Sequence, residues 1–449
     1  MTFNARTRHS VIRAGAMLLV AALLALLAVA CGGNNQPPEP SSPAAGGAVN
    51  TGTAASGKPV ELSFWNGFTG PDGELLKQIV DEFNQQNAGK IEVNMDVMMW
   101  DLLFQKLPPA IATKTAPQLV AFSNAAGPGY MSNGSLEPLD DYFAATGSDP
   151  SDFTDASLEL FRYKDGKQYM LPLQTNGIYL FWNKKLFREA GLDPEKPPAT
   201  LEEMADIAVK LTKPEQNQYG LALPVKSAPT YFVSFMKGNG GEVVDMANLK
   251  SALDSPENLA TLQWLQDLGQ NKKVSPQGAT GAALDKLMLG GQLGMYITGP
   301  WLTGGLKANN VEFGVAQIPS GSKTRFVELG GIGFAVPAGT TAEQKQAAYA
   351  FIKFWNSPDN MKRWSLANGF PPHLKAVIGD PDVKADANVA TMADMGDAAQ
   401  TFLPGLVNAE RINRDVLFPM VEAVLSGVDP AGVLKKTSAQ LDEILKTEP

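Results

Sequence analysis

The side chains in this 449-residue chain whose types and places suggest a task are aromatic, amide and hydroxyl groups, with no base placed to make a nucleophile of a hydroxyl. Trp65, Trp100, Tyr231, Trp301 and Phe370 fall at loop or strand-end positions where an exposed ring can meet a ligand. Ser123-Asn124 and Thr175-Asn176 stand at comparable places and offer hydrogen bonds in both directions. An aromatic face covers the apolar C–H face of a sugar ring, and amides and hydroxyls serve its polar rim. For each ring the plain alternative is core packing, and for Thr175 and Asn176 it is turn chemistry. Trp182, Trp264, Trp355 and Trp364 lie inside predicted elements and read as core.

Other chemistries find little support. Two histidines, His9 and His373, and one cysteine, Cys31, give neither a metal cluster nor an intrachain disulfide. No Gly-x-Ser-x-Gly elbow, phosphate loop or histidine-based triad is present. A glycoside-processing enzyme, the competing class, needs two opposed carboxylates about 5–10 Å apart. Asp140-Asp141 and Glu202-Glu203 are adjacent acids of the kind found on solvated faces. The net charge of −9 argues against a nucleic-acid partner.

Val60, Leu62 and Phe64 alternate with polar residues and predict a strand over 60–65. A helix with Leu75, Leu76, Ile79, Val80 and Phe83 on one stripe follows. Ile91–Val97 alternates as a second strand, Trp100–Thr113 suits a helix kinked at Pro108 and Pro109, and Leu119–Phe122 is a third strand. Such alternation predicts a mostly parallel sheet with ligands beyond its carboxyl edge. Tyr169–Leu173 and Gly177–Trp182 read as two strands separated by the polar interruption Gln174-Thr175-Asn176. Asn183 is placed to cap a helix over Lys184–Ala190, Thr200 and Glu203 have capping-box spacing, and Ser255-Pro256 opens another helix. Helices are also expected at Ala342–Trp355 and Pro430–Leu445.

At the N-terminus, Arg6, Arg8 and Arg13 precede an apolar run, Ala14–Ala30, that ends at Cys31-Gly32. This is the pattern of an export signal. Residues 32–57, rich in Gly, Asn, Pro, Ser and Ala, read as a flexible tether. A lipid on Cys31 would hold a soluble body near a membrane. Plain secretion and an uncleaved anchor helix are the alternatives.

The run FWNKKLFREAGLDPEKPPAT, Phe181 to Thr200, carries the pattern (Y/F)-(Y/W)-N-K-x-x-F-x-x-A-G-L-D-P-x-x-P-P-x-T. It resembles the lobe crossover of bacterial extracellular solute-binding proteins of the large carbohydrate-binding family, which includes maltose- and glycerol-3-phosphate-binding members. Gly291 and Met295, Gly299-Pro300-Trp301, Gly330-Gly331, Pro358–Trp364 and Gly369-Phe370-Pro371-Pro372 match further family motifs.

The resemblance implies an α/β, two-lobed periplasmic-binding-protein fold (type II, clamshell) with a ligand cleft between lobes. It divides the chain into 1–31 (lipoprotein signal with Cys31 in a lipobox), 32–57 (tether), 58–172 plus 318–356 (N-terminal lobe) and 173–317 plus 357–449 (C-terminal lobe). It implies a sugar- or oligosaccharide-binding component of an ABC importer: an exported, lipid-anchored monomer without cofactor, metal or enzymatic activity, with membrane permease subunits as partners.

For the site it implies ligand contact at Trp301, Thr175, Asn176, Gly331 and Arg414. Arg414 corresponds to an arginine in the phosphate-ester member and to an aromatic residue in the maltose-binding member. Trp100 and Ser123-Asn124 depart from the phosphate-ester pattern. That places a neutral saccharide ahead of glycerol-3-phosphate or a phosphodiester. A peptide or compatible solute is a further alternative.

Overall fold

The computed structural model of the protein describes residues 57–225, 230–394 and 399–449. The export signal, Cys31 and the tether up to Ser56 lie outside the described residues.

Two separate sheets organise the chain. β1 (Val60–Asn66) buries Leu62 and Phe64 and pairs in parallel with β2 (Ile91–Val97) and β3 (Leu119–Ser123). The helix α1 (Pro71–Gln86) connects β1 to β2. It lays Leu76, Ile79, Val80 and Phe83 on the sheet, as its apolar stripe requires. The helix α2 (Trp100–Ala112) continues through Pro108 and Pro109. β4 (Met170–Gly177) then runs without a break through Gln174-Thr175-Asn176, which the sequence suggested as an interruption. The reason is long-range: a later strand, β11 (Val327–Ala335), pairs antiparallel with β4 along its length, with one irregularity opposite Leu173, and with β3. It supplies ladder partners that polar residues do not advertise locally.

Ile178 alone separates β4 from β5 (Tyr179–Asn183), which belongs to the second sheet. There the order is β10 (Phe313–Ala316), β5, β9 (Leu293–Thr298), β6 (Tyr219–Leu221). Only β6 and β9 are parallel, so this sheet is more antiparallel than the first. A small hairpin, β7 (Val244–Asp245) with β8 (Lys250–Ser251), lies apart. The chain returns to the first sheet between β10 and β11, and β12 (Ala399–Gln400) pairs with the start of β11.

Each sheet has its own core. Around the first, Phe351 of the Ala342–Trp355 helix meets Phe83 at 5.2 Å, Phe334 at 5.7 Å and Phe64 at 5.9 Å. Around the second, β5 and β9 are buried along their whole length, which explains the bulky run Tyr179–Trp182. Local caps form as the spacing predicts. The Asn183, Thr200 and Ser255 side chains accept from the backbone N–H of Leu186, Glu203 and Asn258. Trp182, Trp355 and Trp364 are buried, and Trp264 packs partly buried against the second core.

Two segments depart from the expected division. Residues 173–177 complete β4 in the first sheet, so the crossing falls at Ile178. Trp364 and Phe370, expected with the C-terminal lobe, are built into the first core. Trp364 stacks on Phe370 at 5.5 Å and meets Trp355 at 5.0 Å.

Candidate ligand-binding site

A cavity of about 420 Å³ opens where the carboxyl ends of β1 and β9 meet the crossing strands β4 and β11. The first sheet contributes Phe68 and Asp72 from the segment after β1, Trp100 from the start of α2, Gln174 and Asn176 from β4, and Ile332 from β11. The second contributes Tyr231, Trp301, Leu302 and Gly305, with Asp285 and Leu289 from the helix Gly281–Leu289.

Two indoles face this space, and each packs directly against a glycine. A Cβ on Gly67, just after β1, would stand 2.1 Å from the Trp100 ring. A Cβ on Gly299, just after β9, would stand 1.9 Å from the Trp301 ring. No side chain fits at such distances, so both glycines hold open the seat of an indole. Valine at Gly299 is expected to tilt Trp301 out of place and weaken ligand binding nearly as much as removing the indole. Titration calorimetry and the fluorescence of the empty protein check this; an unchanged affinity would show that the ring's seat is irrelevant.

Trp100 is braced from behind. Phe68 meets it edge-on at 5.6 Å and meets Trp364 at 6.0 Å. The Asn66 Oδ1 accepts from the Phe68 N–H at 3.2 Å and fixes the turn that presents Phe68. Trp301 packs against the cores of both sheets. Gln174 is oriented by the Trp364 indole N–H, which donates to its Oε1 at 3.2 Å.

Of the residues singled out in the sequence, Trp100, Asn176, Tyr231 and Trp301 come together here. Trp65 instead packs into a core with Leu103, Leu107 and Val120. The Thr175 hydroxyl is buried and donates to the Pro371 carbonyl at 3.3 Å. Phe370, expected at the cleft, is fully buried in the first core, because Trp364 offers it a stacking partner there. The Ser123 hydroxyl accepts from the Ala126 N–H at 3.2 Å. The Asn124 Oδ1 accepts from the Gly331 N–H at 3.1 Å, so Asn124 and Gly331 clamp the end of β3 to β11. Arg414 is exposed and pairs with Asp415 at 2.8 Å. Asn124 also lines a second cavity of about 520 Å³, with Met131, Tyr163 and Phe402.

Two acids were missed. Burial pushes the Asp72 carboxyl up to about 6, against the backbone N–H of Gly73, which donates to it at 3.0 Å. Burial also pushes Asp285 up to about 6, partly offset by the Tyr296 hydroxyl beside it. The Asp285 Oδ1 is shielded from solvent and has no hydrogen-bond partner, an arrangement that costs about 1–3 kcal/mol. A carboxyl raised in the folded state is most tolerable when protonated. Its cost appears as pH rises through the unfolded value of 3.8 and is complete above about 6. The double variant Asp72→Asn/Asp285→Asn, without ligand, is therefore expected to gain stability over the wild type as pH rises from 4 to 6.5, and no more above. The gain is on the order of 2 kcal/mol per carboxyl. Urea unfolding at stepped pH measures it, and a pH-independent difference would contradict it. Only the Pro-Asp-Gly run at the start of α1 hinted at Asp72, and no local signal marks Asp285.

Two layered α/β bodies, joined by β4–β5 and β10–β11 around an aromatic and amide-lined cavity, define a two-lobed clamshell binding protein. The chain belongs to the bacterial extracellular solute-binding protein family, whose model matches residues 78–391. It is 27% identical over 389 residues to a protein of Brucella abortus described as a binding protein, covering 84% of this chain and 92% of that one. It is 28% identical over 289 residues to the maltotriose-binding protein of Pyrococcus abyssi, covering 62% and 60%. A solved ABC transporter solute-binding protein from Thermotoga lettingae, bound with alpha-D-tagatose, superposes with a TM-score of 0.78 at 24% identity, over 86% of this chain and 100% of that one.

Proposed function

We propose that this protein is the substrate-binding component of an ABC importer that captures a neutral saccharide. The observation that carries this reading is the pairing of two indoles from different sheets, Trp100 and Trp301, around Gln174, Asn176, Asp72 and Asp285. The rings cover the faces of a sugar and the amides and carboxylates bind its hydroxyls. No lysine or arginine is among the described residues lining the cavity, so a phosphate ester would meet two carboxylates with no compensating charge. That disfavours glycerol-3-phosphate. The maltotriose named for the Pyrococcus relative and the tagatose bound by the Thermotoga protein are both uncharged.

In this reading the first sheet and its helices, with Trp364 and Phe370, form one lobe, and the second sheet forms the other. Ligand contacts on both lobes favour the closed arrangement by hinge motion about the crossings near Ile178 and between β10 and β11. A membrane permease then receives the loaded form. The protein binds without turnover, acts as a monomer and is exported and held at the membrane by a lipid on Cys31. Among the described residues no helix is long and apolar enough to cross a membrane. Cys31→Ser should release the protein from membrane fractions; retention would refute the anchor.

A thermal-shift screen against neutral mono- and oligosaccharides, polyols, glycerol phosphodiesters and peptides tests the function. A ligand at about a hundred times its Kd adds roughly 2.7 kcal/mol to the native state, a shift of several degrees. A shift with a neutral saccharide is expected. A shift with phosphate esters alone would replace this reading with the phosphate-binding one.

A further inference from the structure

Asp285 has no place in the family motifs that the sequence displays, yet it stands on the wall of the cavity. It occupies the fifth position of the helix Gly281–Leu289. Leu284 and Met288 on either side of it are buried, and Leu289, one turn on, lines the cavity with it. Tyr231 and Tyr296 pack edge-on at 6.5 Å beside it, and the field of its carboxyl reaches both phenols. The Tyr296 hydroxyl hydrogen-bonds to this carboxyl, while the Oδ1 is shielded from solvent and has no partner. An ionised carboxylate only accepts hydrogen bonds, so whatever completes this one must bring a donor. Asp72 adds a second acid to the cavity wall from the segment after β1, where its carboxyl accepts from the Gly73 N–H.

We propose that Asp285 is a specificity-determining residue whose unpartnered oxygen accepts a hydrogen bond from a ligand hydroxyl, and which together with Asp72 rejects ligands bearing carboxylate or phosphate. The inference rests on the saccharide reading above and adds to it the feature that the site selects for: an uncharged polyol, offering a donor toward the helix Gly281–Leu289. An anion of the same shape is refused because it would place like charges beside the two carboxylates with no lysine or arginine on the cavity wall to offset them. The orphaned acceptor is a cost carried by the empty protein and relieved when the right ligand binds.

The test uses the full-length protein and Asp285→Asn, with maltotriose, D-tagatose, ribitol, D-glucose, D-glucuronate and glucose 6-phosphate as probes. Titration calorimetry reads affinity and a thermal melt reads the empty protein. The expected result is that a neutral probe binds the wild type and the anionic probes do not. In Asp285→Asn the neutral probe should then bind at least tenfold more weakly, glucuronate should gain affinity relative to it, and the melting temperature should not fall. If the neutral probe binds Asp285→Asn within twofold of the wild type, the role of Asp285 is refuted and the saccharide reading stands. A fall in melting temperature would return Asp285 to the structure of the helix and also refute it. Binding of the anionic probes alone, or of none of the six, would remove the saccharide reading and this inference with it.

Discussion

Trp301→Ala is expected to weaken saccharide binding by well over tenfold while lowering the melting temperature of the empty protein by only a few degrees. An indole stacked on a sugar contributes about 1 kcal/mol beyond the area it buries. Covering on the order of 50 Å² of the sugar's C–H face adds about 1.3 kcal/mol. A total above 1.4 kcal/mol exceeds a factor of ten in Kd. The side chain is only partly buried in the empty protein, although it touches the cores of both sheets, so its loss leaves no closed cavity in either. Phenylalanine at this position should restore part of the affinity by replacing the platform. If Trp301→Ala instead unfolds the protein and leaves the affinity of the folded fraction unchanged, Trp301 is a core residue and the candidate site loses one wall.

Trp364→Ala should act in the opposite proportion. Trp364 is fully buried and stands among Trp355, Phe370 and Phe68. Removing so large a side chain from a close-packed core costs about 3–5 kcal/mol, because the surroundings collapse only partially. The first core is the one expected to fail, and urea unfolding should show its transition at much lower denaturant. Trp364→Phe separates packing from hydrogen bonding. It keeps most of the ring stack but removes the N–H that holds the Gln174 Oε1. Gln174 lines the cavity, so this variant should lose a few-fold to tenfold in affinity with a smaller loss of stability. A Trp364→Ala protein within 1 kcal/mol of the wild type would contradict the packing account.

These two residues also show why the site was only partly legible beforehand. Trp301 follows a strand and sits in a Gly-Pro-Trp run, so its position was visible in the chain itself. Trp364 was readable as core from its place within a helix, but its hold on Gln174 joins residues 190 apart in the chain. Phe370 looked like a cleft residue, because a loop aromatic beside two prolines resembles one that faces solvent. Only the stack on Trp364 withdrew it. Asn124 and Gly331 were each singled out as ligand contacts; the bond between the Gly331 N–H and the Asn124 side chain instead makes them a clamp between β3 and β11.

What the sequence determined by itself is whatever short-range physics decides. The helices Ala342–Trp355 and Pro430–Leu445 form over the spans their periodicity requires, and the caps at Asn183, Thr200 and Ser255 form because donor and acceptor lie three residues apart. The strands β1 and β2 alternate as their side chains demand. Tertiary structure alone decided that β4 runs unbroken through three polar residues, because β11, some 150 residues later, supplies its ladder. It also decided that Asp72 and Asp285 share one cavity. An acid's local sequence cannot reveal this, since the burial that raises its pKa is created by residues distant in the chain.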